Sequence, residues 1–172
     1  MEKLVVLLAV GALLPACQSV PVNNTDNPTA NWVVVSDGLY RGARPDETAV
    51  KRLATMGVKT ILNLEDDPNA VAAERVWTDA DGITQVSKPM TGTQSPDDTT
   101  VSDALSLLDD PASRPIFVHC LKGQARTGAV IALHRVFNEG WSATDARNEM
   151  MALGYNSALI AMADYVDLKI GL

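Results

Sequence analysis

Short apolar segments alternate with amphipathic ones from about residue 32 to the end of the chain. Residues 58–64 and 116–118 are rich in β-branched side chains, a pattern typical of strands buried in a parallel sheet. Three further strands are predicted at 32–35, 39–40 and 83–86, and amphipathic helices at 46–56, 69–79, 97–108, 127–138, 143–153 and 158–170. This alternation predicts an α/β fold: a central, mostly parallel sheet of four to five strands flanked by helices.

The N-terminal residues have a different pattern. A polar start at 1–3 precedes an apolar run at 4–14. That run is too short for a transmembrane helix of roughly 20 residues, but it has the length of a signal-peptide core. It ends in the sequence LPAC at 14–17, which resembles the lipobox of bacterial lipoproteins. We therefore expect a lipoprotein signal peptide at 1–16 and lipidation at Cys17.

The predicted lipid anchor determines the expected domain organisation and location. Residues 17–31 are polar and contain two prolines, so we expect a lipidated N-terminus and flexible tether there, followed by one domain at 32–172. The resemblance to lipoproteins implies a periplasmic protein held at the membrane by this anchor only, and Gln18 after the cysteine favours the outer membrane. An ordinary cleaved signal peptide, with Cys17 unmodified, is the alternative.

Composition limits the classes of partner. The 172 residues carry a formal net charge of −7, with 47% hydrophobic and 20% charged residues. This balance is ordinary for a globular domain with a real core. An acidic chain with no run of Lys and Arg is a poor ligand for DNA or RNA, so we expect no nucleic-acid partner. No obligate protein partner is evident from the sequence either.

The two cysteines of the chain have different predicted roles. If Cys17 is acylated, Cys120 is the single remaining thiol. A free thiol is unusual in an exported protein, which makes Cys120 a candidate for chemistry. The histidines, cysteines and carboxylates do not have metal-ligand spacing, so we expect no metal and no cofactor.

Cys120 lies in a segment suited to binding phosphate. The strand at 116–118 ends in His119-Cys120, and a short loop leads into a helix near Arg126. A loop that runs into a helix N-terminus directs backbone N–H groups and the positive end of the helix dipole at one point. The same field favours a thiolate at Cys120. Gly123 allows the loop to turn, and the planar guanidinium of Arg126 can hold two phosphate oxygens.

These residues carry a resemblance to a known family. Cys120, Arg126 and Thr127 form C-x5-R-T, within the wider HCxxGxxRTG of residues 119–128, which is similar to the signature of the protein tyrosine phosphatase superfamily. Residues 39–45 (LYRGARP) resemble a segment of small dual-specificity-like phosphatases, as do 58–64 and 148–154. The resemblance implies a cysteine-phosphatase fold with a strand–P-loop–helix active site and a phosphorylated substrate.

The resemblance also implies a role for each motif residue. Cys120 would attack phosphorus and form a phosphocysteine that water hydrolyses. Arg126 and the loop amides would hold the phosphate oxygens. Thr127 would assist departure of the sulfur, and His119 would orient the loop. The expected phosphate-binding residues are Leu121, Lys122, Gly123, Gln124, Ala125 and Arg126.

The loop that supplies the general acid is where this chain departs from the family pattern. Some relatives have an aspartate near the middle of the loop that corresponds to 88–98, where this chain has Thr91. Asp97 and Asp98 are the catalytic candidates, although N-capping of the next helix is their favoured alternative role. Asp66 and Asp67 follow another strand and are further candidates. An enzyme with a weak acid would still cleave substrates with acidic leaving groups, such as aryl phosphates or phosphoanhydrides.

Several alternatives remain open at this point. The chain could be a catalytically weak phosphate-binding module, a pseudophosphatase, or it could use its thiol for sulfur transfer or arsenate reduction. Arg41 and Arg44 could line the pocket rim or be solvated. Lys122 could suit polyanionic substrates such as inositol phosphates or point into solvent. His134 is predicted to be a half-buried packing residue.

Overall fold

The computed structural model describes residues 27–172 and contains a five-stranded sheet there. The strands are β1 (Val33–Ser36), β2 (Leu39–Ala43), β3 (Thr60–Asn63), β4 (Thr84–Ser87) and β5 (Ile116–Cys120). Their order across the sheet is β1-β2-β5-β3-β4. β1 is antiparallel to β2, and the other pairs are parallel. The predicted α/β fold with a mostly parallel sheet is confirmed.

Six helices flank this sheet. They are α1 (Glu47–Thr55), α2 (Pro68–Ala80), α3 (Asp98–Asp109), α4 (Ala125–Phe137), α5 (Ala143–Ala152) and α6 (Ile160–Ile170). Each of the six lies within two residues, at either end, of a helix that the sequence predicts. The local sequence determines where four of them begin. α1, α2, α3 and α5 each follow an Asp or Ser whose side chain accepts a hydrogen bond from a first-turn amide.

The helices cover both faces of the sheet because the buried strands are apolar on both sides. Successive residues of a strand point to opposite faces, and this alternation divides the core in two. Phe117 of β5 packs with Val50 and Leu53 of α1 on one face. Val118, the next residue, packs on the other face with residues of α3, α4, α5 and α6. The two apolar layers fix the sheet between the helices.

The register of the sheet brings several loops to one edge. Ala43 at the end of β2 pairs with Cys120 at the end of β5, and Asn63 at the end of β3 pairs with His119. The loops that leave β2, β3 and β5 therefore start side by side. In open α/β sheets this edge, beyond the carboxyl ends of the strands, is where ligands bind.

Two strands are longer than their sequence patterns predict. β2 continues from Tyr40 to Ala43, and β5 continues to Cys120, so Cys120 is the last strand residue and not the first loop residue. Gly42 and Ala43 belong to types that are depleted in strands, which explains the short prediction for β2. Pairing with β5 on one side and β1 on the other overrides that preference.

The N-terminal predictions fall mostly outside the described residues. The signal peptide at 1–16, the lipidation site Cys17 and the tether up to residue 26 all lie there and stay predictions. The last residues of the predicted tether are in contact with the domain, since the Ala30 carbonyl accepts a hydrogen bond of 2.8 Å from the Ala43 amide. Between residues 27 and 172, no helix has the length and apolar character needed to cross a membrane.

Candidate active site

The N-terminus of α4 is open to a ligand. The residue before this helix, Gln124, makes no side-chain capping hydrogen bond, and the first turn of α4 contains no acidic residue. Asp46, Asp67, Asp97 and Ser142 cap α1, α2, α3 and α5 in turn. The first amides of an uncapped helix have no intrahelical acceptor and form a natural anion site together with the helix dipole.

Gly123 allows the loop to wrap against β2. Its φ of 67° lies in the left-handed region that only glycine adopts easily, and a Cβ atom there would collide with the carbonyl group of Gly42 and the amide of Ala43. The loop therefore folds back over the end of β2 before it enters α4. The start of α4 also packs closely against α5, since a Cβ at Gly128 would lie 3.2 Å from the Met150 side chain.

Cys120 is almost completely buried, with 2% of its surface exposed. Burial raises the pKa of its thiol, but hydrogen bonds from the hydroxyl and amide of Thr127, the charge of Arg126 and the amide of Lys122 outweigh burial, so the pKa lies below its ordinary value. The groups that lower the pKa all come from the loop and the first turn of α4. The predicted activation of this thiol thus has a structural cause.

Arg126 is held by one end of its guanidinium. Its Nη1 donates to the Leu64 carbonyl (3.3 Å), to Asp66 Oδ1 (2.7 Å) and to the Met90 carbonyl (3.1 Å). Its Nε and Nη2 make no hydrogen bond within residues 27–172. The side chain is anchored by the loops after β3 and β4, while the other two nitrogens form a planar fork that matches two phosphate oxygens. The sequence motif does not reveal these anchors.

His119 belongs to a buried polar cluster below the loop. Its Nε2 lies 2.8 Å from Glu74 Oε2. The other oxygen of Glu74 accepts hydrogen bonds from Asn63 (3.0 Å) and Gln85 (2.7 Å), so the buried carboxylate is well supplied with donors. The His119 hydrogen bond contributes to the lowered pKa of Glu74, against the effect of burial. His119 thus fixes the end of β5 to α2, β3 and β4, and Glu74 is a partner that sequence reasoning missed.

Asp97 and Asp98 are engaged elsewhere, which argues against the acid role that the sequence predicts for them. Asp97 caps α3, and its hydrogen bonds from the amide and hydroxyl of Thr100 lower its pKa. Asp98 binds Lys169 and Tyr165 on α6, and these contacts lower its pKa. A general acid must be protonated near the working pH, and a lowered pKa opposes that.

The other pair of candidate carboxylates divides between two roles. Asp67 caps α2 by accepting hydrogen bonds from the amides of Asn69 and Ala70. Asp66 contacts Arg126, as described above, and its side chain remains 47% exposed. Of the four aspartates that the sequence proposes, Asp66 is therefore the one that the fold brings to Arg126. The two residues are 60 positions apart, so it is the order of the strands in the sheet that brings them together.

Both arginines before α1 are paired, so neither is simply solvated. Arg41 is buried in β2, and its Nη2 donates a 2.7 Å hydrogen bond to the Gly123 carbonyl. Arg44 forms a two-pronged ion pair with Glu65, in which Nε lies 2.7 Å from Oε1. Lys122 is exposed. The prediction that His134 is half-buried is wrong: it is fully buried, with its Nε2 3.4 Å from Glu139 Oε1.

Known proteins resemble this chain over most of its length. The family described as "PTP-NADK: DSP-PTPase phosphatase fused to NAD+ Kinase" matches residues 12–166. The dual specificity protein phosphatase TpbA of Pseudomonas aeruginosa is 28% identical over 155 residues, which is 85% of this chain and 68% of that protein. The inositol diphosphatase DSP3 of Arabidopsis thaliana is 32% identical over 114 residues, 63% of this chain and 55% of that protein.

Solved structures share the fold. The crystal structure of P. aeruginosa TpbA in complex with phosphotyrosine superposes with a TM-score of 0.70 at 27% identity, covering 87% of this chain and 88% of that one. The catalytic core of the Saccharomyces cerevisiae PP-IP phosphatase SIW14, with citrate bound, superposes with a TM-score of 0.72 at 24% identity and covers 82% and 86% of the two chains. The second likeness is one of fold alone.

Proposed function

Since this chain belongs to the DSP-PTPase phosphatase family, we propose that it hydrolyses phosphate monoesters through a cysteinyl-phosphate intermediate. The observation that carries the proposal is the placement of a thiol of lowered pKa, an uncapped helix N-terminus and an arginine fork around one point. A phosphoryl group is a dianion with three equatorial oxygens, and this arrangement offers it amide donors and a guanidinium.

The first step transfers the phosphoryl group to sulfur. The Cys120 thiolate attacks phosphorus, the S–P bond forms and the bond from phosphorus to the leaving oxygen breaks. The leaving oxygen takes the electron pair of that bond and is protonated by solvent water. Arg126 and the loop amides hold the equatorial oxygens as their charge shifts in the transition state.

The second step regenerates the thiolate. A water molecule attacks phosphorus, the S–P bond breaks, and inorganic phosphate leaves with the oxygen of that water. The electron pair returns to sulfur, where the hydroxyl of Thr127 and the charge of Arg126 stabilise it, as they do in the free enzyme. The same contacts that lower the pKa of Cys120 therefore make its thiolate a good leaving group.

The environment of the aspartates favours substrates with acidic leaving groups. Asp97 and Asp98 have lowered pKa values, and Asp66 holds Arg126, so none is an obvious proton donor. Aryl phosphates and phosphoanhydrides need little protonation of the departing oxygen. The names of the relatives agree with this chemistry, since they include a phosphatase crystallised with phosphotyrosine and inositol diphosphatases. We propose aryl phosphates and inositol diphosphates as the first substrates to test.

The decisive experiment measures hydrolysis of para-nitrophenyl phosphate and phosphate release from an inositol diphosphate. Wild-type protein is compared with Cys120→Ser, with Arg126→Lys and with Asn138→Gly, a control at the far end of α4. We expect turnover by wild type and by the control, and a loss of several orders of magnitude in Cys120→Ser. A wild-type protein that binds vanadate but turns over neither substrate would instead be a phosphate-binding module.

A further inference from the structure

The three carbonyl groups of residues 121–123 all accept hydrogen bonds from donors in the segment between residues 31 and 44. The Leu121 carbonyl accepts from the Arg44 amide at 3.4 Å. The Lys122 carbonyl accepts from Asn31 Nδ2 at 2.8 Å, and the Gly123 carbonyl accepts from Arg41 Nη2 at 2.7 Å. Three consecutive carbonyls are thus held by three donors that do not belong to the loop.

Holding a carbonyl also orients the next amide. In a trans peptide, the C=O of one residue and the N–H of the following residue point in opposite directions. The donors outside the loop hold the carbonyls of 121, 122 and 123 outward, away from the centre of the loop. The N–H groups of Lys122, Gly123 and Gln124 therefore point inward, toward that centre. The Lys122 amide confirms the direction, because it hydrogen-bonds the sulfur of Cys120.

We propose that Asn31 and Arg41 are positioning residues of the phosphate cradle, and that they act by holding these two carbonyls outward. The inference rests on the proposed phosphatase function, because it assigns the two side chains to the same site. Neither side chain is expected to touch the substrate. Their effect reaches it through the amides of Gly123 and Gln124.

The loop packs closely against β2 at Gly123, but it borders a cavity on another side, where hydrogen bonds hold its carbonyl groups. A cavity of about 250 Å³ lies behind it, lined by Asn31, Val33, Arg41, Gly123, Gln124 and Gly154 among others. A peptide group that borders empty space has room to rotate once its hydrogen bond is removed. The two donors therefore decide which orientation the loop peptides keep.

The local structure of Asn31 suits this role. Its φ of 53° makes it the one non-glycine residue of the described chain with a positive φ, a conformation that asparagine tolerates better than most residues. The segment is pressed close to β2, since a Cβ at Gly42 would collide with Thr29. An exposed side chain on an unusual backbone thus reaches a carbonyl 91 positions away in the sequence.

Arg41 contributes an electrostatic effect as well. Burial lowers its pKa to about 10, which still leaves it charged at neutral pH, and the negative charge of Cys120 acts to raise that pKa. Because the interaction is mutual, the charge of Arg41 favours the thiolate. Arg41 therefore holds the Gly123 carbonyl and also stabilises the thiolate of Cys120.

The test uses substitutions that remove each donor and keep the backbone. Asn31→Gly retains the positive φ and deletes the side chain, while Arg41→Met deletes the donor and the charge at similar volume. Asn138→Gly, the same change at an exposed site beyond the other end of α4, is the control. Arg41→Lys, which retains the charge and an Nζ donor, tests for rescue.

The measurements are kcat/KM for para-nitrophenyl phosphate, the inhibition or binding constant of orthovanadate, and the thermal midpoint of each variant. We expect Asn31→Gly and Arg41→Met to lower kcat/KM about tenfold and to weaken vanadate binding by a similar factor. Asn138→Gly should stay within twofold of wild type, and Arg41→Lys should recover part of the loss. The thermal midpoint of Asn31→Gly should match that of the control.

Two results would overturn the inference. The first is an Asn31→Gly protein whose kcat/KM and vanadate affinity both lie within twofold of wild type; this variant decides the matter even if Arg41→Met does not fold. The second is a wild-type protein that binds no vanadate, because then no cradle exists to position. A wild type that binds vanadate without turnover would refute the proposed hydrolysis, and the vanadate affinities of the variants would still test the positioning role.

Discussion

Asp66 Oδ1 accepts a 2.7 Å hydrogen bond from Nη1 of Arg126, although the two residues are 60 positions apart. Arg126 lies in the first turn of α4, and Asp66 lies in the loop that follows β3. The contact fixes one end of the guanidinium and leaves its Nε and Nη2 available for the proposed phosphate ligand. Several consequences of this architecture can be measured.

Replacing Asp66 separates a positioning role from an acid role. Asp66→Asn keeps an oxygen acceptor for Arg126, whereas Asp66→Ala removes it and leaves only the carbonyls of Leu64 and Met90. We expect Asp66→Ala to lower kcat/KM for para-nitrophenyl phosphate about ten- to hundredfold, because small displacements of a catalytic group are costly. Asp66→Asn should stay within a fewfold of wild type. Equal losses in both variants, with a flattened basic limb of the pH profile, would identify Asp66 as the general acid instead.

Gly123→Ala should inactivate and destabilise the protein. The new Cβ would collide with the Gly42 carbonyl while φ stays at 67°. Gly140 is the matched control, because its φ is 72° and an added Cβ would meet no atom within 4 Å. Urea unfolding of Gly140→Ala should show only the strain of a positive φ, roughly 1–2 kcal/mol. Gly123→Ala should lose more stability than that, and its loop amides should no longer bind vanadate. Similar losses of stability in the two variants would show that contact with β2 is unimportant.

Thr127→Val should shift the titration of Cys120 to higher pH. The hydroxyl of Thr127 helps to lower the pKa of the thiol, and an isosteric valine lacks it. Between the pKa of wild type and the higher pKa of the variant, wild type has the larger fraction of thiolate, so alkylation by iodoacetamide should be slower in the variant there. The two rates should converge at alkaline pH. A hydrogen bond to a charged group contributes about 1.5–3 kcal/mol, so kcat should fall about ten- to hundredfold. Coinciding alkylation profiles would exclude this role for Thr127.

Lipidation of Cys17 is a prediction from the sequence that the described residues do not test. Expression of the whole chain in bacterial cells with a labelled fatty acid should give a labelled protein in the membrane fraction. Cys17→Ser should abolish the label completely, since acylation requires the sulfur. Cys120→Ser is the matched control and should remain labelled. An unlabelled wild type that is cleaved and soluble would support the ordinary signal peptide.

Much of the fold follows from local patterns. Segments such as 58–64 have an apolar character that indicates buried strands, and Asp46, Asp67, Asp97 and Ser142 begin helices by capping them. The motif from His119 to Gly128 is contiguous, so the chain itself brings Cys120 and Arg126 together. These features depend on residues that are neighbours in sequence, which is why they can be predicted without a structure.

The tertiary structure decided which distant residues serve the motif. Asn31 reaches Lys122, Arg41 reaches Gly123 and Asp66 reaches Arg126 because β2, β5 and β3 lie side by side and end at one edge of the sheet. Strand order and register arise from packing of the whole core, and no local pattern encodes them. The amino-acid sequence alone therefore determined the candidate nucleophile, the phosphate loop and the α/β class. The fold decided the side chains that hold that loop in place, because their contacts exist only once the sheet has formed.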